Sequence, residues 1–263
     1  MKDELEDNGT ADRNIIKSVV KVAAVVDLLD EHGALSLTEL CQLAKMGASS
    51  MFRILATLKE IRYVVQNPVT QKYSNSPKLF MLGRGVLQRI NFNPLLTIQL
   101  QKLAEQTGVS VNVGMADGKY TAYLAGCAAK GTIQLDDNVG SRAPLYCTGI
   151  GKAILACYRP EYVAELCKEF DFRKHTENTL SSQEALLAEL VQVREQGYAV
   201  DNMEWDPMLY CTAIALLDAK GFPVVGVSLT APSFLAREDA GLRERCARAL
   251  LEAADELTAA IMG

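Results

Sequence analysis

Apolar residues recur every three or four positions near the start of the chain, which is the spacing that places them on one side of an α-helix. This stripe predicts a first helix over residues 18–31, and Gly33 follows as its end signal. The stripe consists of Val19, Val22, Ala23, Val26 and Leu29.

A second and a third helix follow at short spacing. Ser36 and Glu39 form the pattern of a capping box, in which serine hydroxyl and glutamate carboxylate each accept a hydrogen bond from the other residue's backbone N–H. The helix that they begin is short and ends near residue 44. Residues 45–47 (Lys-Met-Gly) predict a turn, and a third helix is predicted over residues 48–60. Its buried stripe comprises Met51, Ile54, Leu55 and Leu58.

The opposite side of the third helix is small, hydroxyl-bearing and cationic. On a helical wheel Ser49, Arg53 and Ala56 point away from the buried stripe, with Phe52 and Thr57 beside them. A glycine-bearing turn followed by such a helix indicates a helix-turn-helix, because a small face can enter the major groove while arginine reaches guanine or phosphate.

Two β-like segments, residues 63–66 and 72–74, come next, and the Asn-Pro pair between them is a turn signal. They predict a hairpin, or wing, beside the third helix, with Lys72 at a backbone phosphate. The alternative is a small helical domain whose hairpin serves in dimerisation. Residues 78–91 then predict a connecting helix, and Pro94 breaks it, so we place the domain boundary there.

The rest of the chain mixes strands and helices. A hairpin turn at Asp117-Gly118 joins two strands, and residues 218–221 join two more. Helices at both ends of an antiparallel sheet predict an α+β layer fold of the kind found in sensor domains. The predicted strands are residues 109–113, 120–125, 132–135, 209–217 and 224–230, and the predicted helices are residues 95–107, 148–157, 161–169, 183–196 and 237–262.

The charge is unevenly placed along the chain. The formal net charge is −5, but residues 1–90 carry 12 Lys/Arg against 10 Asp/Glu, and residues 91–263 carry 15 against 22. From residue 45 to residue 90 there are eight basic residues and one acid, Glu60. A basic segment joined to an acidic body suggests a nucleic-acid-binding module attached to a part that does not touch phosphate. A solvated basic face without a partner remains the alternative.

Other classes of protein fit the composition less well. The seven cysteines show no Cys-x-x-Cys spacing, which favours free thiols in a reducing cytoplasm over a disulfide framework or a zinc site. His32 and His175 are far apart, so we expect no metal site. The acidic residues 1–12 do not form a secretory signal, and no apolar run approaches the length of a membrane span.

The sequence also contains a candidate ligand site. Gly149-Ile150-Gly151-Lys152 lacks the spacing and the Ser/Thr of a phosphate loop, but its glycines allow backbone N–H groups to cluster at a helix start. In the last strand, Ser228 and Thr230 alternate with apolar residues, and Cys211 lies on the neighbouring strand after Asp201. These residues could surround a small polar ligand, and the alternative is a solvated sheet face. Since nothing ties His175 to a thiol, we expect no catalytic residues.

Five stretches in order resemble the IclR family of bacterial transcription regulators over nearly the whole chain. They are residues 35–40, residues 49–55, residues 148–153, residues 194–198 followed by Asp201 and Glu204, and Cys211 ahead of Ala213. Among its branches, that of the ketodeoxygluconate regulator is the most similar. The chain departs from the family at Ala48, Lys45, Met208 and Ala215, and Trp205 with residues 206–208 is expected to reshape the rim of the ligand pocket.

The resemblance implies a winged helix-turn-helix domain over residues 15–77, a linker helix over residues 78–92 and a GAF/PAS-like effector domain over residues 93–263, after an acidic tail at residues 1–14. It also implies a homodimer or a dimer of dimers that needs no cofactor. The expected DNA contacts are Ser36, Ser49, Ser50, Phe52, Arg53, Thr57 and Lys72. The expected effector contacts are Gly149, Ile150, Asp201, Leu209, Cys211, Ser228 and Thr230.

We therefore expect a cytoplasmic transcription regulator whose affinity for double-stranded operator DNA changes with a small carboxylate, a sugar acid or a 2-keto acid, and which controls a sugar-acid catabolic operon. In that hypothesis the anionic Asp201 accepts hydrogen bonds from ligand hydroxyls, while backbone N–H and hydroxyl groups hold the carboxylate. Two alternatives stay open: an enzyme with a cysteine nucleophile, and a GAF-like sensor that acts through protein contacts.

Overall fold

A computed structural model describes residues 15–89, 94–128 and 139–262. The chain divides into two compact units, residues 1–86 and residues 87–263. The predicted acidic tail and the predicted strand at residues 132–135 lie outside the described residues.

The N-terminal unit contains three helices and a hairpin. Helix α1 covers Lys17–His32, α2 covers Leu37–Leu43 and α3 covers Ala48–Glu60, while strands β1 (Val64–Gln66) and β2 (Tyr73–Asn75) pair antiparallel. The predicted capping box is present, since the Ser36 hydroxyl accepts from the Glu39 N–H and Glu39 accepts from the Ser36 N–H. The predicted stripe of α3 packs inward with residues of α1, α2 and β1 around Leu40. Helix α4 (Pro77–Arg89) follows the hairpin, as predicted for the connecting helix.

The C-terminal unit is built on a six-stranded antiparallel sheet in the order β5-β4-β3-β8-β7-β6. The bounds of its elements are α5 Pro94–Thr107, β3 Ser110–Asp117, β4 Tyr120–Cys127, β5 Arg142–Pro144, α6 Gly149–Cys157, α7 Pro160–Cys167, α8 Gln183–Gln196, β6 Ala199–Asn202, β7 Leu209–Leu217, β8 Pro223–Pro232, α9 Ser233–Glu238 and α10 Leu242–Met262. The predicted α+β class is confirmed.

Each face of the sheet is covered by its own helices. Helices α5 and α10 pack on one face around Val227 and Leu250, and α6 and α8 cover the other face around Ile150 and Leu190. The strand β8 is therefore buried on both sides over most of its length. The alternative of a solvated sheet face is wrong, because the polar side of β8 lies beneath α6.

Several predicted boundaries are wrong for local reasons. Strand β3 continues past residue 113 because a bulge between Val113 and Gly114 lets the pairing resume. The single predicted helix over residues 237–262 is two helices, since the Asp239 carboxylate accepts a hydrogen bond from the Gly241 N–H and interrupts the helical ladder there. Strands β5 and β6 were not predicted because each is only three or four residues long and lies at a sheet edge.

In the described part of the chain, no helix combines the length and the apolar character needed to cross a membrane.

Candidate functional site

The outward side of α3 does not pack into the core of the N-terminal unit. Ser49, Ser50, Phe52, Arg53 and Thr57 are all exposed, whereas the opposite side of the helix is buried. The hydroxyl of Thr57 donates to the carbonyl of Arg53 in its own helix at 2.9 Å. The Arg53 guanidinium forms no ion pair within the described residues, so it is available to an external anion.

Glu39 brings Ser36 and Lys72 together at the start of α2. The Ser36 hydroxyl caps the helix, and the Lys72 ammonium lies 3.4 Å from the Glu39 carboxylate. Hydrogen bonds from Ser36, with Lys72 close by, hold the pKa of Glu39 below its ordinary value. Both predicted DNA contacts are therefore engaged within the protein, and Lys72 would exchange its carboxylate partner for a phosphate.

The turn before α3 explains one departure from the family pattern. Lys45 stands where glycine is common, and its backbone has a φ of 49°, in the left-handed region that glycine adopts without strain. Lys45 thus adopts a backbone conformation for which glycine is better suited.

On the side of the sheet covered by α6, the register brings the predicted effector residues into a row. Asp201 pairs with Cys211, and Cys211 pairs with Thr230. Leu209 lies two residues before Cys211 and so on the same side of β7. Ser228 lies two residues before Thr230 and is buried. Residues far apart in the sequence are thus adjacent in the sheet.

The start of α6 closes directly over this row. An added Cβ on Gly149 would lie 3.3 Å from the Cβ of Ala213 and 3.5 Å from that of Cys211, so the helix approaches β7 within van der Waals contact. Ile150 packs on Gly226, where an added Cβ would meet the isoleucine side chain at 2.7 Å. The Thr148 hydroxyl caps the helix by accepting from the Gly151 N–H.

A chain of hydrogen bonds orders the polar side chains beneath α6. Asn112 of β3 donates to the Thr230 hydroxyl at 3.0 Å, and that hydroxyl donates to the Cys211 sulfur at 3.4 Å. Burial raises the pKa of the Cys211 thiol, so Cys211 remains protonated at neutral pH. Because Thr230 already donates to Cys211, the Cys211 S–H itself is left as a donor for a ligand.

Asp201 lies in an environment that disfavours its charged form. It is 3% exposed, and its carboxylate accepts a hydrogen bond from the Glu204 N–H at 2.7 Å. Burial, reinforced by the neighbouring Glu204 carboxyl, raises the pKa of Asp201 to about 7. The burial of Asp201 thus favours its protonated form more than the sequence alone suggested.

Lys152 lies at the centre of a buried ion cluster rather than at a phosphate. Its side chain is 0% exposed, and its ammonium lies 2.5 Å from Glu204 and 3.2 Å from Glu189. These contacts fix the first turn of α6 to α8 and to the turn that follows β6. Burial still raises the pKa of Glu204 above its ordinary value.

Three residues of this region were not predicted as part of the site. Asn112 is a polar side chain that alternates with Val111 and Val113, and this alternation was the available signal. Tyr123 and Cys147 have no comparable signal. Burial raises the pKa of both side chains, and the charge of Asp201 contributes to each shift.

The histidine of this unit is placed away from the thiols. His175 contacts the Tyr146 hydroxyl at 3.2 Å and packs its ring edge-on against Trp205. Among the described residues, none of its hydrogen bonds reaches a cysteine, and no three His, Cys, Asp or Glu side chains come together as metal ligands would. The arrangement does not supply a general base for a nucleophilic thiol.

Comparison with known proteins agrees with this architecture. The sequence pattern of the IclR helix-turn-helix domain matches residues 18–68, and that of the C-terminal domain of the bacterial transcriptional regulator IclR matches residues 84–259. The chain belongs to the IclR family. It is therefore a DNA-binding transcriptional regulator.

Relatives of this IclR-family chain cover most of its length. The transcriptional regulator KdgR of Escherichia coli is 34% identical over 224 residues, which are 85% of each chain. The transcriptional regulator BhcR of Paracoccus denitrificans is 32% identical and covers 95% of this chain and 89% of its own. The crystal structure of IclR from Thermotoga maritima superposes with a TM-score of 0.69 at 27% identity, over 94% of this chain and 99% of its own.

These similarities decide two of the earlier predictions. The resemblance to the ketodeoxygluconate-regulator branch of the IclR family is confirmed by the KdgR relatives. The family and its relatives are transcriptional regulators and not enzymes, so the alternative of an enzyme with a cysteine nucleophile is wrong.

Proposed function

We propose that this IclR-family regulator binds its operator with α3 and the hairpin, and that a small carboxylate bound at the N-terminal end of α6, beside the sheet, changes that affinity. The ligand is a sugar acid or a 2-keto acid, and the controlled genes form a sugar-acid catabolic operon. The observation that carries the proposal is the closure of the α6 start over the row of Asp201, Cys211 and Thr230.

The helix start supplies the donors that a carboxylate needs. The first N–H groups of a helix have no partner within the helix, and Thr148 caps only that of Gly151. The N–H groups of Gly149 and Ile150 are thus free of intrahelical bonds, and the helix dipole adds partial positive charge there. With Ser228 and the Cys211 S–H beside them, these donors suit a carboxylate with polar substituents, while Leu209 covers its apolar part.

The protonated form of Asp201 also favours such a ligand. A second carboxylate beside an ionised Asp201 would be repelled, whereas a protonated Asp201 donates a hydrogen bond to it. With a pKa of about 7, Asp201 takes up a proton on ligand binding at little cost. We therefore assign Asp201 a donor role toward the effector, in place of the purely accepting role first expected.

On DNA, Arg53 and Ser49 are assigned to base edges, and Ser50, Ser36 and Lys72 to phosphates. Phe52 and Thr57 are assigned to the walls of the groove on either side. A homodimer, or a dimer of dimers, would place two such helices in successive major grooves. Exposed apolar side chains on α1 and α4, such as Val19 and Phe80, support association with a second copy.

The proposed function assigns DNA binding and effector binding to different segments of the chain. Residues 15–77 form the reader and residues 93–263 the effector domain, with residues 78–92 as the connecting helix. Effector binding can change operator affinity only if the ligand prefers one of two dimer geometries, and the connecting helix is the element that joins the two units.

The DNA contact is tested by replacing Arg53. Binding to the region upstream of the gene is measured by fluorescence anisotropy at several salt concentrations. Arg53→Ala is expected to weaken binding by about 10- to 100-fold, which is the effect of losing one base contact. Lys21→Ala on α1 removes the same charge from the same unit and is expected to change affinity much less. Equal binding by wild type and Arg53→Ala would favour a sensor that acts through protein contacts.

The effector is tested in the same assay with a panel of sugar acids and 2-keto acids. At least one ligand is expected to shift operator affinity, and the response should be lost in Cys211→Val, which replaces the thiol donor with an apolar side chain. The matched control is Cys157→Val, an exposed cysteine at the far end of α6. A panel without any response, or an equal loss in both variants, contradicts the proposed site.

A further inference from the structure

A cavity lies in the C-terminal unit, apart from the proposed effector residues. It has a volume of about 210 Å³, and none of the seven predicted effector contacts lines it. Its wall is aromatic and includes Tyr146, His175 and Trp205. Its charged lining residues are the cations Lys119, Arg142 and Arg173 and one acid, Asp171. The volume is below the roughly 300–1,000 Å³ of pockets for drug-sized ligands, so one ring with a small substituent is the size that fits.

The aromatic wall is held in place by its own contacts. The rings of His175 and Trp205 meet edge to face with their centroids 4.5 Å apart. The Tyr146 hydroxyl donates to the backbone carbonyl of Arg173 at 2.8 Å and lies 3.2 Å from the His175 ring nitrogen. Because these groups are fixed, the cavity presents a preformed surface for stacking. Burial, with Arg173 nearby, lowers the pKa of His175, so its ring is neutral at pH 7.

The rim selects the charge of the occupant. Lys119 is bound to Asp171 and Arg142 to Asp117, whereas Arg173 forms no ion pair with any residue that the structure describes. Three cations meet here in a part of the chain, residues 91–263, that carries 15 basic against 22 acidic residues. A cationic ligand is disfavoured by this rim, and a carboxylate can take both donors of the Arg173 fork.

We propose that this cavity is a second ligand site, which binds a single-ring aromatic carboxylate. The carboxylate meets Arg173 at the rim, and the ring stacks against His175 and Trp205. The site also has a route to the effector residues. Trp205 follows Glu204, which is bonded to Lys152 and whose N–H donates to Asp201, so a ligand against Trp205 acts on the turn that positions Asp201.

Trp205 provides a direct readout because the chain contains a single tryptophan. The full-length protein is titrated with benzoate while tryptophan fluorescence and, in parallel, binding heat are recorded. Saturable binding is expected. Benzamide, which keeps the ring without the charge, and cyclohexanecarboxylate, which keeps the charge without the π face, should each bind at least about tenfold more weakly.

Variants locate the ligand. Arg173→Gln is expected to weaken benzoate binding at least about tenfold, and Arg159→Gln, the same change at an exposed arginine outside the cavity, should leave it within about twofold. Cys211→Val should also leave benzoate binding unchanged, although it removes the response to the proposed effector. Loss of benzoate binding in Cys211→Val with retention in Arg173→Gln would place the ligand in the effector site and overturn the proposal. Absence of both a heat signal and a fluorescence change would overturn it as well, whatever the result of the operator assay.

Discussion

The two units of this regulator place their polar side chains in opposite ways. In the described part of the N-terminal unit, Ser76 is the one polar residue that is buried, and the core is otherwise apolar. The described part of the C-terminal unit buries twelve polar or charged residues, among them Asn112, Lys152, Asp201 and Glu204. A unit that contacts a polyanion needs its polar groups at the surface, whereas a unit that encloses a small molecule needs some of them inside.

The two units also differ in how much their charged pairs contribute to the stability of the fold. A surface pair such as Lys72 and Glu39 is screened by solvent and contributes little to folding. A buried pair such as Lys152 and Glu204 stabilises the fold only as a pair, because either partner alone would be an uncompensated charge in a medium of low dielectric constant. Substitutions in the buried pair should therefore change the free energy of unfolding more than substitutions in the surface pair.

The largest effect is expected at Lys152. Lys152→Met leaves Glu204 buried without its cation and should reduce the free energy of unfolding by about 4 kcal/mol. The double variant Lys152→Met/Glu204→Met removes both charges and should recover most of that loss. Urea denaturation of both variants decides the matter. If the double variant is no more stable than the single one, the buried ion pair is not the source of the effect.

A smaller effect, dependent on pH, is expected at Asp201. Its folded pKa of about 7 lies above the unfolded value, so the folded protein holds a proton that the unfolded chain releases. The stabilisation is complete below pH 4 and is lost as the pH rises to 7.

Asp201→Asn cannot ionise and should not show this decline. Its stability relative to wild type should rise by about 2 kcal/mol between pH 5 and pH 7, because each pKa unit corresponds to about 1.4 kcal/mol. Urea denaturation at the two pH values measures the difference. A constant difference between the two proteins would mean that Asp201 is already ionised at pH 5.

The smallest effect is expected in the N-terminal unit. Ser36→Ala removes the cap of α2 and should cost about 1 kcal/mol. Ser50→Ala on the exposed side of α3 is the matched control and should stay within about 0.5 kcal/mol of wild type. Thermal or urea denaturation checks both. A loss at Ser36 as large as that at Lys152 would remove the contrast between the two units.

The sequence predicted the N-terminal unit almost completely. The bounds of α3 and the Ser36–Glu39 capping box were both predicted, because periodicity and caps are local properties that a few neighbouring residues express. In the C-terminal unit the long elements α8 and β7 were also predicted. The short edge strands β5 and β6 were missed, since three or four residues carry too little pattern and form strands only through their partners.

The proposed effector residues show the same division. Their identities followed from the family resemblance and from the alternation along β8, which are properties of the sequence. The tertiary structure decided that both faces of β8 are covered, that Lys152 binds Glu204 across 52 positions of the chain, and that burial raises the pKa of Asp201. Burial and charge pairing depend on which distant segments meet, and no local pattern of residues records that.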